Sequence, residues 1–114
     1  MAVGVAVDNL YGVAFHSTVL ASLSVDDSEL ERMRANEPPS DAKRAAVYKL
    51  ARSIVLDRGK VDDEAISRAT AAGVTTPEIL EIVAECTFAG LVGTLDNLAG
   101  RVELDAFLRP RVWN

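Results

Sequence analysis

Residues 75 to 100, TTPEILEIVAECTFAGLVGTLDNLAG, limit the possible folds of this chain more than any other segment. Thr75 or Thr76 can cap a helix with Pro77 in its first turn, where a missing N–H has no consequence. Apolar residues then occupy nearly every face of that helix, namely Ile79, Leu80, Ile82, Val83, Cys86, Phe88, Leu91, Val92 and Leu95. Such a helix is either the centre around which the others pack or part of a contact between subunits.

The segments before it also have helical patterns. We predict a first helix over about Ala2 to Leu23, and a short second one that begins at Ser24. Ser24 with Asp27 three residues later resembles a capping box, with a carboxylate near the positive end of the helix dipole. The prolines of NEPPS end this second helix, because proline cannot continue one.

Helix 3 should begin at Ser40 or Asp41 and end at Gly59. Helix 4 should cover about Asp62 to Ala72, with acidic residues in its first turn. The apolar residues of helix 3 recur at a spacing that places them on one core-facing stripe: Val47, Leu50, Ala51, Ile54 and Val55.

No segment alternates like a strand, so we predict an all-α bundle. With 114 residues, the chain is long enough for a single domain, residues 1–114. Its core covers about residues 3–100. The tail, residues 101–114, is polar with spaced apolar anchors at Leu104, Phe107 and Trp113, and we expect it to fold over a neighbour.

Composition limits the partners. Hydrophobic residues make up 49% of the chain and the net charge is −5, with Lys and Arg scattered, so we expect no nucleic-acid partner. No apolar run reaches the length that spans a membrane, and the first residues lack the basic region of a signal peptide. The single cysteine, Cys86, is typical of a cytoplasmic, reducing compartment.

Few residues offer chemistry. One histidine and one cysteine cannot form a zinc site, and no phosphate-binding loop is present, so we predict no metal and no cofactor. Cys86 lies in mid-helix among apolar residues, where a thiol is usually inert packing. Glu81 and Glu85 are four residues apart and can share a helix face, which we expect to face solvent. His16, in DNLYGVAFHST, lies on an apolar helical segment and is the remaining candidate.

The order of several segments resembles the carboxymuconolactone decarboxylase superfamily, and within it the alkylhydroperoxidase D-like branch. The segments are RSIVLDRGKVDDEAI, GVTTPEILEIVAE and a helix that ends in DNLAG, preceded by a helix that contains His-Ser. The resemblance covers roughly residues 3 to 100. It implies an all-α bundle that assembles into trimers, hexamers or other homo-oligomers.

The resemblance also implies what this chain lacks. Redox-active members carry Cys-x-x-Cys followed four residues later by histidine, and alignment on His16 places the two cysteines at Asn9 and Gly12. Tyr11 takes a position where alkylhydroperoxidase D has another histidine. Without a thiolate nothing attacks the peroxide and no disulfide forms, so peroxidase activity is the least favoured alternative.

Two hypotheses remain, and enzymatic activity is open between them. In the first, the pocket is retained and His16 is a general acid or base on a small organic acid or lactone. In the second, the chain is a non-catalytic structural or small-molecule-binding homo-oligomer, and His16 is a hydrogen-bonded helix residue. Steady-state turnover on γ-lactone acids separates the two, and whether His16 faces a cavity is the structural observation that bears most on the choice.

Overall fold

The computed structural model describes residues 1–100 and 103–113, and within these ranges it contains six α-helices and no strand. The predicted all-α class is confirmed. No described helix is both long and apolar enough to cross a membrane. The elements are α1 (Ala2–Ala6), α2 (Leu10–Ser22), α3 (Asp27–Arg34), α4 (Ala42–Leu56), α5 (Asp63–Ala71), α6 (Thr76–Ala99) and a 3-10 turn at Arg109–Arg111.

The prediction of one continuous first helix is wrong, because the chain breaks between α1 and α2. Asp8 has a φ of 56°, in the left-handed region that aspartate tolerates better than most residues. Asn9 is the N-cap of α2, and its side-chain Oδ1 accepts a hydrogen bond from the Gly12 N–H at 2.7 Å. A local cap therefore replaces the hydrogen bond that would have continued the helix.

The predicted capping box at Ser24 is also wrong. Ser24 lies in the turn before α3 with a φ of 62°, and Asp26 is the N-cap. The Asp26 side chain makes no capping hydrogen bond. Asp27 does lie in the first turn, as expected, where its charge complements the helix dipole.

The starts of the later helices agree with the sequence. Asp41 caps α4 by accepting from the Arg44 N–H at 2.8 Å, and Asp62 caps α5 in the same way. Thr75 and Glu78 form a full capping box at the start of α6. Gly59 and Gly100, after α4 and α6, have φ values of 78° and 65°, the left-handed geometry that glycine accepts without strain.

Helices α4 and α6 lie side by side and run parallel. Lys43 Nζ is 2.7 Å from Glu78 Oε1, and the Cys86 thiol donates to the Ala51 carbonyl at 3.6 Å. Both pairs are separated by 35 residues, so the two helices advance in register. The core beneath them is made by Leu50, Ala69 and Val74, which join α4, α5 and the α5–α6 turn.

Helix α1 packs into part of the groove between α4 and α6. Val3 is 7% exposed and contacts Ala51 and Cys86 in one core cluster. A second cluster attaches α3 to α4, and in it the Tyr48 hydroxyl donates to the Met33 carbonyl at 3.0 Å.

The described part of the tail, residues 103–113, packs on α2 and α3 of the same chain. The Arg34 guanidinium donates to the carbonyls of Arg111 and Val112, and the Trp113 indole N–H donates back to the Arg34 carbonyl at 3.2 Å. The expectation that Phe107 anchors the tail is wrong, because its side chain is 60% exposed. Leu108, the next residue, is fully buried instead. The turn that bonds the Leu108 N–H to the Asp105 carbonyl directs the later residue inward.

The other helices cover one side of α6 only. Its buried residues are Cys86 and Gly93. Large apolar side chains on the opposite side are exposed, among them Leu80, Phe88, Leu91, Leu95 and Leu98. The interpretation of this helix as the centre of the bundle is therefore wrong for its outer face.

Candidate functional site

The main cavity is the part of the α4–α6 groove that α1 leaves empty. It has a volume of about 840 Å³ and is bounded by α4 and α6, with α2, α3 and the start of α1 as its other wall. Buried side chains form its floor, namely Val3, Met33, Tyr48, Ala51 and Cys86. Val47 and Ile82, both half-buried, line the sides. We call this cavity the cleft.

Charged side chains form the rim of the cleft. Five are carboxylates and two are cations, namely Glu29, Asp41, Glu78, Glu81 and Glu85, with Lys43 and Arg44. The hydrogen bond from Lys43, aided by the backbone and hydroxyl of Thr75, lowers the pKa of Glu78 to about 2. Glu29 accepts from the Ser40 N–H at 2.8 Å, and this bond lowers its pKa. The rim thus carries a surplus of negative charge.

His16 lies on the α2 wall of the cleft and is half-buried. Burial lowers the pKa of its imidazole from 6.5 to about 4, and the nearby α-amino group adds to this effect. The Phe15 ring meets the imidazole edge-on, with 5.5 Å between ring centres. His16 is therefore neutral near pH 7, where it can act as a weak base but holds no proton to donate as an imidazolium.

Asn9 and Gly12 lie outside the cleft, against the second half of α6. The Asn9 side chain donates from Nδ2 to Asp96 Oδ2 at 3.1 Å while its Oδ1 caps α2. A Cβ added at Gly93 would lie 3.0 Å from Asn9 Nδ2 and from a Val7 methyl. Asn9 is thus a packed structural contact, and Gly93 is the residue that permits it.

Tyr11 also lies outside the cleft. Its hydroxyl donates to Asp105 Oδ2 at 2.7 Å, and this hydrogen bond raises the pKa of Tyr11. The contact joins α2 to the tail. The structure therefore brings Asn9 and Gly12 together, attaches Tyr11 to the tail, and places His16 alone on the cleft wall.

Cys86 is buried in the cleft floor, in agreement with the sequence. Burial raises the pKa of its thiol, so the thiolate is disfavoured at neutral pH. Within residues 1–100 and 103–113, no group of three or more His, Cys, Asp or Glu side chains could hold a metal ion.

The sequence indicates several residues of the cleft but not the cleft itself. Ala51 belongs to the core stripe that was predicted on α4, and Glu81 and Glu85 are exposed as expected. Met33 and Tyr48 gave no signal of a site. The apolar spacing on α4 identifies a buried face without indicating what covers it.

Comparison with known proteins gives no match: no family model, curated protein or solved structure is significantly similar to this chain. The resemblance to the carboxymuconolactone decarboxylase superfamily stays a prediction.

Proposed function

We propose that this chain is a homo-oligomeric small-molecule-binding protein, a non-catalytic member of the carboxymuconolactone decarboxylase superfamily. The observation that carries this proposal is the cleft, whose volume of about 840 Å³ lies in the range of ligand sites. Its floor is mostly apolar and already formed, and its charged side chains are confined to the rim.

The chemistry around the cleft favours binding over turnover. The Cys86 thiol is protonated and buried, and it is the only cysteine in the chain. Asn9 and Gly12, at the positions of the family's redox cysteines, carry no nucleophile. A lone buried thiol is also typical of a protein in the reducing cytoplasm, where we place this chain.

The test of binding uses Nile red, a neutral apolar dye whose fluorescence rises in apolar sites. Val47→Trp places a large ring on the cleft wall and should abolish the fluorescence rise. Ala71→Trp, at an exposed position of α5 outside the cleft, is the matched control and should bind like the unaltered protein. Equal binding by both variants would place the dye elsewhere and refute the proposal.

A second candidate function rests on the position of His16, which lines the cleft. With a pKa of about 4, a neutral imidazole could remove a proton from a small lactone or organic acid. Steady-state assays on γ-lactone acids test this candidate. Turnover that is lost in His16→Gln, with unchanged thermal stability, would establish catalysis in place of binding alone.

The homo-oligomer is supported by the exposed side of α6. Leu80 to Leu98 form an apolar stripe about 27 Å long, and patches of this kind on a monomer usually mark an interface. We propose a trimer or hexamer, as the resemblance implies. Sedimentation should show a mass above 12.2 kDa, and Leu95→Glu should reduce it. Leu56→Glu is the control, since Leu56 is 53% exposed and Leu95 56%. A 12.2 kDa species for the unaltered protein would contradict assembly.

A further inference from the structure

We infer that the ligand of the cleft is an organic cation with an apolar body, an amphiphilic amine whose ammonium group binds at Glu81 and Glu85. This inference rests on the proposed binding function and assigns the chemical class of the ligand. It follows from the apolar floor, from the ion pairing around the rim, and from the positions of these two carboxylates.

The apolar floor determines the body of the ligand. Ala51 and Cys86 lie at the bottom of the cleft, with Val47 and Ile82 along the sides. The hydrogen-bonding groups at the floor are already occupied, because the Tyr48 hydroxyl and the Cys86 thiol both donate to backbone carbonyls. A ligand in contact with this floor gains burial of apolar surface and finds few free polar partners.

The rim determines the charge of the ligand. Lys43 is paired with Glu78 across one end of the cleft, with 2.7 Å between Nζ and Oε1. Asp41 accepts the capping N–H of α4, and Glu29 accepts from Ser40. Together with Arg44, these side chains make three acidic and two basic groups, so their charges nearly cancel.

Glu81 and Glu85 are the remaining carboxylates. They lie one helical turn apart on α6, and no described residue pairs with them or donates a hydrogen bond to them. His16 on the facing wall and the Met1 α-amino group, whose pKa burial lowers to about 6, are mostly neutral at pH 7 and add little positive charge. An ammonium group between the two carboxylates would be attracted by both, whereas a carboxylate ligand would be repelled.

The position of this pair beside the floor matches the shape of an amphiphile. On the surface of α6, Glu85 is the neighbour of Ile82, three residues earlier, and of Ala89, four residues later. All three line the cleft, as does Glu81. A cation held at the rim can therefore place its alkyl or aromatic part on the floor without crossing another charged group.

The experiment compares three probes with one apolar body: octyltrimethylammonium, octanol and octanoate, measured by displacement of Nile red. The unaltered protein should bind the cation most tightly and octanoate most weakly. The double variant Glu81→Gln/Glu85→Gln should bind the cation roughly 5- to 20-fold more weakly, with octanol unchanged. Raising the salt concentration should reduce the preference for the cation.

Asp63→Asn/Glu64→Gln on α5 is the matched control, because it removes the same two charges at exposed positions outside the cleft. It should keep the full preference. Equal loss in both double variants, or octanoate binding as tightly as the cation, would overturn the inference while the binding function stands.

Two further outcomes separate the inference from its basis. If neither octanol nor Nile red binds to the unaltered protein or to the Leu95→Glu variant, the proposed function itself is wrong. If the probes bind only to the Leu95→Glu variant, a second copy of the chain covers the cleft, and the inference of an amine ligand is overturned.

Discussion

The groove between α4 and α6 is filled along one half and open along the other. In the filled half, Gly93 allows the chain after α1 to approach α6 closely. Val3 packs against Ala51 and Cys86 where this half meets the floor of the cleft. In the open half, the half-buried Val47 and Ile82 face a cavity of about 840 Å³. The same pair of parallel helices thus forms a core at one end and a cleft at the other.

The difference shows how side-chain size and charge divide the groove. Helix α1 has five residues, too few to be stable alone, so packing in the groove must hold it. The small side chains of Ala51 and Ala89 leave space for α1, and Gly93 leaves space for the chain that follows α1. At the other end, Lys43 and Glu78 remain hydrated on the rim, and their burial under a helix would be unfavourable.

The largest expected effect comes from placing a charge in the filled half. Val3→Asp should lower the free energy of unfolding by about 3 kcal/mol or more, because an unpaired carboxylate would be buried. Val47→Asp, on the solvent-accessible wall of the cleft, should lower the free energy of unfolding by at most half as much. Urea denaturation measures both values, and equal losses would mean that the two halves are packed equally well.

A smaller effect tests the close approach at Gly93. Gly93→Gln should lower stability by about 2 kcal/mol, because its Cβ would lie 3.0 Å from Asn9 and Val7 atoms. Gly90→Gln is the matched control on the same helix, where nothing lies within 4 Å of an added Cβ. It should raise stability by about 0.5 kcal/mol through helix propensity. A stable Gly93→Gln variant would show that the loop can move away.

The start and end of the later helices were predictable because their signals are local. Asp41, Asp62 and Thr75 each cap a helix through an N–H three residues away, so a few letters of sequence suffice. The break before α2 depends on Asn9, which caps one helix and contacts α6 at once. Because the residues of α1 and of α2, on either side of this break, are mostly apolar, the sequence pattern reads as one continuous helix.

The cleft was not predictable, because it depends on which part of the groove between α4 and α6 is occupied by α1. Its walls come from residues that are far apart in the sequence, such as His16, Met33 and Ile82. The apolar character of α6 was visible, but the sequence could not separate the side that packs from the side that stays exposed. Both sides are apolar, since Ile82, Cys86 and Ala89 lie on the packed side and Leu80, Phe88, Leu91 and Leu95 on the exposed side.

The third prediction concerns His16 on the wall of the open half. Its pKa is about 4 in the folded protein and 6.5 ordinarily, so below pH 6.5 the unfolded chain takes up a proton that the folded chain does not. Stability should therefore fall as the pH decreases from 6.5 to 4, by about 1 to 2 kcal/mol from this residue. Protonation of Glu29 and Glu78, whose pKa values are lowered in the folded protein, also reduces its stability in acid.

The His16 contribution is isolated by comparison with His16→Gln. Urea denaturation of both proteins at pH 7 and pH 4.5 should show a smaller acid-induced loss in the variant, since the carboxylates are common to both. Identical losses would mean that the His16 imidazole is solvated in the folded protein, and that water reaches this wall of the cleft more than the burial of His16 indicates.

The smallest effect is expected from introducing a cysteine pair at Asn9, the N-cap of α2, and at Gly12 in its first turn. Asn9→Cys/Gly12→Cys should lower stability by about 1 kcal/mol when reduced, because the cap of α2 is lost. The Asn9 Cγ lies 3.2 Å from a Cβ built at Gly12, so the two side chains meet and oxidation should form an intramolecular disulfide. Neither position lines the cleft, so Nile red affinity should be the same in the reduced and oxidised forms. Mass spectrometry of the alkylated protein and a dye titration measure the two results.

Failure to form the disulfide in the folded protein would refute the alignment on His16. A change in dye affinity on oxidation would show that the filled and open halves of the groove are coupled.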